Sequence, residues 1–274
     1  MRYCESPFRF QRRLTREVVV GDPARGGVII GGHHPVVMVT LAANDLAASS
    51  AFYHAVFGWQ LMTVTAEIAA AALTSGPAVT LRAKSPEGFQ GVVPFIGVPD
   101  VPAALEQVVA AGGSIERAPW PMPMVGTLAR FTDPAGTIYG LATNPSAAPL
   151  PHIPAPFGDG PKPPNGTVCS LEMHAGDLDV AARFFGTQFG WGTLPTMPQY
   201  LMFDAGAGIG GVFQAHTPAT RGLAYLYATD VKATLAAIES AGGKRMGDPM
   251  AIPGMATFGY FTDPSGTAMG LIGG

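Results

Sequence analysis

Between residues 170 and 174, three side chains able to do chemistry alternate along the chain: Ser170, Glu172 and His174. Successive side chains of an extended strand point to opposite faces, so these three share one face. A carboxylate two residues from an imidazole offers a general base with a titratable partner, which makes Glu172 and His174 the candidate catalytic residues. Gln214 and His216 repeat that spacing further on, and with Glu172 and His174 they could begin a displaced divalent-metal site. The structural alternative is a hydrogen-bonded Glu172 and a solvated His174 at a strand end. Small-molecule pockets are largely apolar and aromatic, with a few convergent polar groups. On that pattern Thr40, Ser170, Tyr200, Met202, Gln214, His216 and Trp120 are candidate ligand-binding residues. Tyr225 and Tyr227 share a strand face that counting along the chain turns toward the helices, as core. Met122, Met124, Met250 and Met255 fall in Pro-rich stretches expected to be loops rimming a pocket. His33-His34 precedes the first strand and reads as a solvated pair.

The elements that must position these groups come from an internal repeat. DLAASSAFYHAVFGW from Asp45 recurs as DLDVAARFFGTQFGW from Asp177, an offset of 132. Asp100 with its following helix and Ala111-Gly112-Gly113 recur at Asp230 and Ala241-Gly242-Gly243, and Phe131-Thr132-Asp133-Pro134 recurs at Phe261-Thr262-Asp263-Pro264, both at offset 130. Each copy opens with a β-branched strand. Asp45 and Asp177 follow as helix N-caps, and Gly58 and Gly190 end those helices where a left-handed residue is favoured. A further strand, a second Asp-capped helix and a hairpin closed by an Asp-Pro-x-Gly turn complete the copy. The division expected is an extension over 1–35, modules over 36–143 and 166–274, and a Pro-rich, extended linker over 144–165. The fold class is α+β, two tandem βαβββ modules whose curved mixed sheets enclose a cleft. Of the two copies, the second carries the polar cleft face and the first reads as a wall.

Composition narrows the function classes. Hydrophobic residues make up 47% and charged residues 13%, ample for a packed core. A net charge of −3 gives no electrostatic reason for nucleic-acid binding. No apolar run reaches the roughly 18 residues of a membrane span, and the two cysteines, Cys4 and Cys169, make no disulfide framework. A cytoplasmic monomer or homodimer with a small-molecule ligand is the expectation.

In order and duplication, the Asp-capped helices ending in FGW, the Ala-Gly-Gly stops and the Thr-Asp-Pro turns resemble the vicinal oxygen chelate superfamily. That superfamily includes glyoxalase I, bleomycin-resistance proteins and extradiol dioxygenases, and the resemblance covers residues 36 to 143 and 166 to 272. It implies a divalent metal held on the concave sheet by His, Gln or Glu from the first strand, the strand before the second helix, and the last strand. Those positions fall at Met38, Pro94 and Gly140 in one copy and at Ser170, Ala224 and Gly270 in the other. None is a metal donor, so the expectation is no metal and no other cofactor. The resemblance thus implies a binder of a small, largely apolar or aromatic molecule. The alternative is a lyase, isomerase or dioxygenase with a displaced divalent metal, or with acid–base catalysis by Glu172.

Overall fold

The computed structural model describes residues 34–73, 75–83, 91–123, 125–143, 150–153, 156–157, 161–216 and 221–273. Residues 1–33 of the extension, Met124, all of 144–149 and part of the remaining linker lie outside them. The first copy runs β1 (Val36–Ala43), α1 (Leu46–Phe57), β2 (Met62–Thr65), β3 (Ile68–Ala71), β4 (Ala78–Ala83), β5 (Val92–Val98), α2 (Val101–Ala110), β6 (Ser114–Met122), β7 (Gly126–Thr132) and β8 (Ile138–Thr143). The second repeats it with β9 (Val168–His174), α3 (Leu178–Phe189), β10 (Gly192–Met197), β11 (Tyr200–Asp204), β12 (Gly211–Gln214), β13 (Gly222–Ala228), α4 (Val231–Ser240), β14 (Lys244–Arg245), β15 (Met250–Ile252), β16 (Ala256–Thr262) and β17 (Ala268–Gly273). Each copy therefore holds the βαβββ unit twice. The two units meet where β1 pairs antiparallel with β5, and β9 with β13.

The sheets have matching orders, β2-β3-β4-β1-β5-β8-β7-β6 and β10-β11-β12-β9-β13-β17-β16-β14. The sequence signals act locally as expected. Asp45 accepts from Ala47 N and Ala48 N at 2.8 and 3.0 Å, a cap worth about 1 kcal/mol. Gly58 closes α1 at φ 72° and Gly190 closes α3 at φ 70°. Met122 ends β6 and Met250 begins β15, so neither lies in a loop. Pro119 and Pro121 are accommodated because β6 is the edge of its sheet, where a missing N–H costs no ladder bond.

One core joins the copies. Helix α1 packs on α4, and α2 on α3, while the helix-facing sides of both sheets feed a single apolar cluster. Phe52 and Phe57 meet Phe261, and Phe184 and Phe189 meet Phe131. The contact is pseudo-symmetric. Trp59 Nε1 donates to Gly166 O at 2.9 Å, and Trp191 Nε1 donates to His34 O at 2.8 Å. His34 is consequently buried, its Nδ1 2.9 Å from Gly97 O, and is not the solvated residue expected. The opposite face of the first sheet carries a separate cluster of Met38, Ala42, Val93, Phe95, Leu128 and Ala142. Each sheet thus turns one face to the shared core and curls the other around its own cup.

Candidate ligand-binding cups

The candidates named from the sequence divide between the two cups. Thr40 and Trp120 belong to the first. Ser170, Glu172 and His174 on β9 face Tyr200 and Met202 on β11 and Gln214 on β12, because the registers place Val212 opposite Glu172, Gln214 opposite His174, and Tyr200 opposite Gln214. His216 follows β12, with its carbonyl 3.0 Å from His174 Nδ1 and its Nε2 2.8 Å from the Tyr200 hydroxyl.

Tyr225 corrects the strand count. It stands opposite Ser170 on the cup face, not against the helices. Tyr225 lies in regular register with Ser170, and Phe95 with Met38; beyond each pair the first strand bulges by one residue, at Cys169 and at Val37. The middle position therefore belongs to Phe95 and Tyr225, while Ala224 is core. These rings explain the glycines of the last strand. A Cβ at Gly140 would collide with the Phe95 ring, and one at Gly270 with the Tyr225 ring. In both copies an aromatic side chain thus fills the middle of the sheet, flanked by Met38 or Ser170 and by glycine.

Tyr225 donates to Glu172 Oε2 at 2.7 Å, and its oxygen lies 3.2 Å from the Tyr260 hydroxyl. Burial, and next the Glu172 charge, push the Tyr225 phenol far above its ordinary range, so it remains a neutral donor. Tyr200 is raised by the same two causes in the same order. Glu172, His174, Gln214 and His216 do not converge as ligands: the imidazole nitrogens are directed to a carbonyl and a phenol. Among the described residues no three His, Cys, Asp or Glu side chains form a metal-holding group.

The first cup is not the plain wall that its apolar first strand suggests. It contains a small pocket, partly open to solvent, lined chiefly by Met38, Val93, Phe95, Trp120, Met122 and Leu128. Its polar lining is Thr40, Thr80, Arg82 and Arg130. The Thr40 and Thr80 hydroxyls bond each other at 2.7 Å across β1 and β4. Arg130, 3% exposed, makes a two-point ion pair with Glu116, Nη2 to Oε1 at 3.0 Å and Nε to Oε2 at 2.5 Å. Trp120 has two guanidinium groups near its ring, with Arg117 Cζ 4.1 Å and Arg130 Cζ 5.9 Å from its centre. Sequence reasoning missed Phe95, Arg82 and Arg130. The signal available was the pairing of an aromatic residue with a glycine at equivalent places in both copies.

Two sheets built from duplicated βαβββ units, each curled around a cup, define a glyoxalase-type fold. Residues 35–138 match the model of the Glyoxalase/Bleomycin resistance protein/Dioxygenase superfamily, and the second copy repeats the topology of the first. Over most of its length the chain is similar to "Putative glyoxylase CFP32" of Mycobacterium bovis, 27% identical across 85% of this chain and 92% of that one. A shorter stretch, 59% of this chain and 46% of the relative, is 30% identical to "Probable lactoylglutathione lyase, chloroplastic" of Arabidopsis thaliana. In fold it resembles the Mn(II)-bound glyoxalase from Novosphingobium aromaticivorans, with a TM-score of 0.64, 17% identity, and 88% and 83% of the two chains covered. It also resembles the 2,3-dioxygenase LapB from Pseudomonas sp. KL28, with a TM-score of 0.60, 14% identity, and 89% and 91% covered. Among the described residues no helix is long and apolar enough to cross a membrane.

Proposed function

We propose that this protein binds a small, largely apolar or aromatic molecule in the first cup, without a metal. The observation that carries this reading is the cavity itself: an apolar wall with an indole at its rim and a pair of hydroxyls on its sheet, the usual composition of a small-molecule site. The metal-free part rests on chemistry at the inherited positions. Met38 and Ser170, the glycines of the last strand and the intervening Phe95 and Tyr225 rings supply no His or carboxylate donor set. The enzymatic alternative draws less support, because Glu172 is engaged by Tyr225 and its neighbouring imidazoles bond elsewhere.

Trp120 makes the reading testable by fluorescence, with Trp59 and Trp191 buried in the core as a constant background. Titration with 1-naphthol is expected to quench emission saturably in the native chain, and Trp120→Ala to abolish the change. Absence of saturable binding, or unchanged binding in Trp120→Ala, overturns the site. Metal analysis of purified protein checks the other half: one equivalent of Zn²⁺, Ni²⁺, Fe²⁺ or Mn²⁺ bound on either cup face overturns it.

A further inference from the structure

The duplication lets each cup position be read twice. At offset 132, Thr40 corresponds to Glu172 and Arg82 to Gln214; at offset 130, Phe95 corresponds to Tyr225 and Arg130 to Tyr260. The scaffold is thus held constant while the charge is inverted. The first cup presents guanidinium groups, and the second presents a carboxylate in a ring of phenols.

Glu172 is only half-buried, and among the described residues no Lys, Arg or His nitrogen pairs with it. Its bond from Tyr225 goes to Oε2, so Oε1 has no donor from a described side chain. A partly screened carboxylate that meets a neutral phenol and no cation leaves an accessible acceptor suited to a positive charge. The surroundings suit a particular kind of cation. Tyr260 and Phe258 stand at 70° and 87° to the Tyr225 ring, with centroids 6.1 and 6.2 Å away, like walls meeting a floor. Tyr200 closes the side toward His216, and Met202 lies beside it, directed to the same face. Phe258, Tyr260, Tyr200 and Met202 are all partly accessible from the cup, whereas Tyr225 is buried beneath them. Ring faces attract a weakly hydrated cation and gain little from a strongly hydrated metal ion.

We propose that the second cup is a separate binding site for a small organic cation, an amine or quaternary ammonium group held by Glu172 among the rings of Tyr200, Tyr260 and Phe258. Glu172 supplies the charge, Tyr225 holds its carboxylate in place, and the rings exclude water from the bound group. The first cup, with Arg82 and Arg130 at the equivalent places, rejects the same ligand.

Choline and its uncharged isostere 3,3-dimethylbutan-1-ol, titrated by calorimetry into the full chain, separate charge recognition from apolar binding. Choline is expected to bind saturably and the alcohol at least about tenfold more weakly, a difference of roughly 1.4 kcal/mol. Glu172→Gln keeps an acceptor for Tyr225 and is expected to lower choline affinity to that of the alcohol, with circular dichroism confirming the fold. Tyr260→Phe retains binding and Tyr260→Leu loses it. Equal affinity for choline and the alcohol, no saturable choline binding at millimolar concentration, or unaltered affinity in folded Glu172→Gln would each overturn the proposal.

Discussion

The ring of Tyr225 lies over Gly270 on the neighbouring strand, in the space a side chain at 270 would need. Phe95 lies over Gly140 in the same way. The two pairs show why the last strand of each copy carries glycine: the middle position holds an aromatic ring, and both cannot have side chains.

Gly270→Ala and Gly140→Ala are therefore expected to destabilise the fold by overpacking, by about 1–3 kcal/mol each. Pairing Gly270→Ala with Tyr225→Leu should recover part of the loss. Urea denaturation of the single and double variants measures the coupling; additive losses would contradict the explanation.

Trp59→Phe and Trp191→Phe each remove an indole donor from a carbonyl just outside or at the start of the other copy, Gly166 O at the start of the second and His34 O just before the first. Leaving a buried carbonyl unpaired costs about 1–3 kcal/mol. The pseudo-symmetry predicts similar losses of thermal stability for the two variants, and a clear inequality would show that the copies are not joined equivalently.

Asp133 and Asp263 occupy equivalent turns, but only Asp263 accepts from a tyrosine, Tyr53 Oη at 3.1 Å. At Asp133 the corresponding helix position is Phe185, and burial pushes its carboxyl up to about 7 against the opposing pull of the Thr137 and Ala135 amides. The folded state then binds this proton more tightly than the unfolded chain does. Stability is expected to fall as pH rises from about 4 to 7, with a slope of up to ~1.4 kcal/mol per unit from this group. Asp133→Asn keeps an oxygen for both amides and should flatten the profile in that window. Tyr53→Phe should push Asp263, already raised by burial, further up. Chemical denaturation across the pH range checks both.

Arg130→Ala strands Glu116 at a partly buried site and opens the cavity floor. A loss of about 3–5 kcal/mol is the expected upper range for breaking such a pair, reduced here because Glu116 is partly solvated. Arg130→Ala with Glu116→Gln should recover stability without restoring the cavity wall, so 1-naphthol affinity remains altered while the melting temperature returns.

The sequence by itself determined the duplication, the Asp caps, the glycine helix stops, the Asp-Pro turns and the resemblance to the superfamily, because these depend on side chains close together in the chain. Strand alternation likewise sufficed to group Ser170, Glu172 and His174. The tertiary structure alone decided what those residues face. The fold turns the Tyr225 ring to the cup beside Ser170, a facing that counting along one strand does not fix because it depends on how two distant strands pair. It also placed the open cavity in the first copy, which the apolar Met38-Thr40-Ala42 face had suggested was a wall. Whether apolar side chains meet one another or surround a space is set by the curl of the sheet and by side chains such as Phe95, Trp120 and Arg130 arriving from other strands.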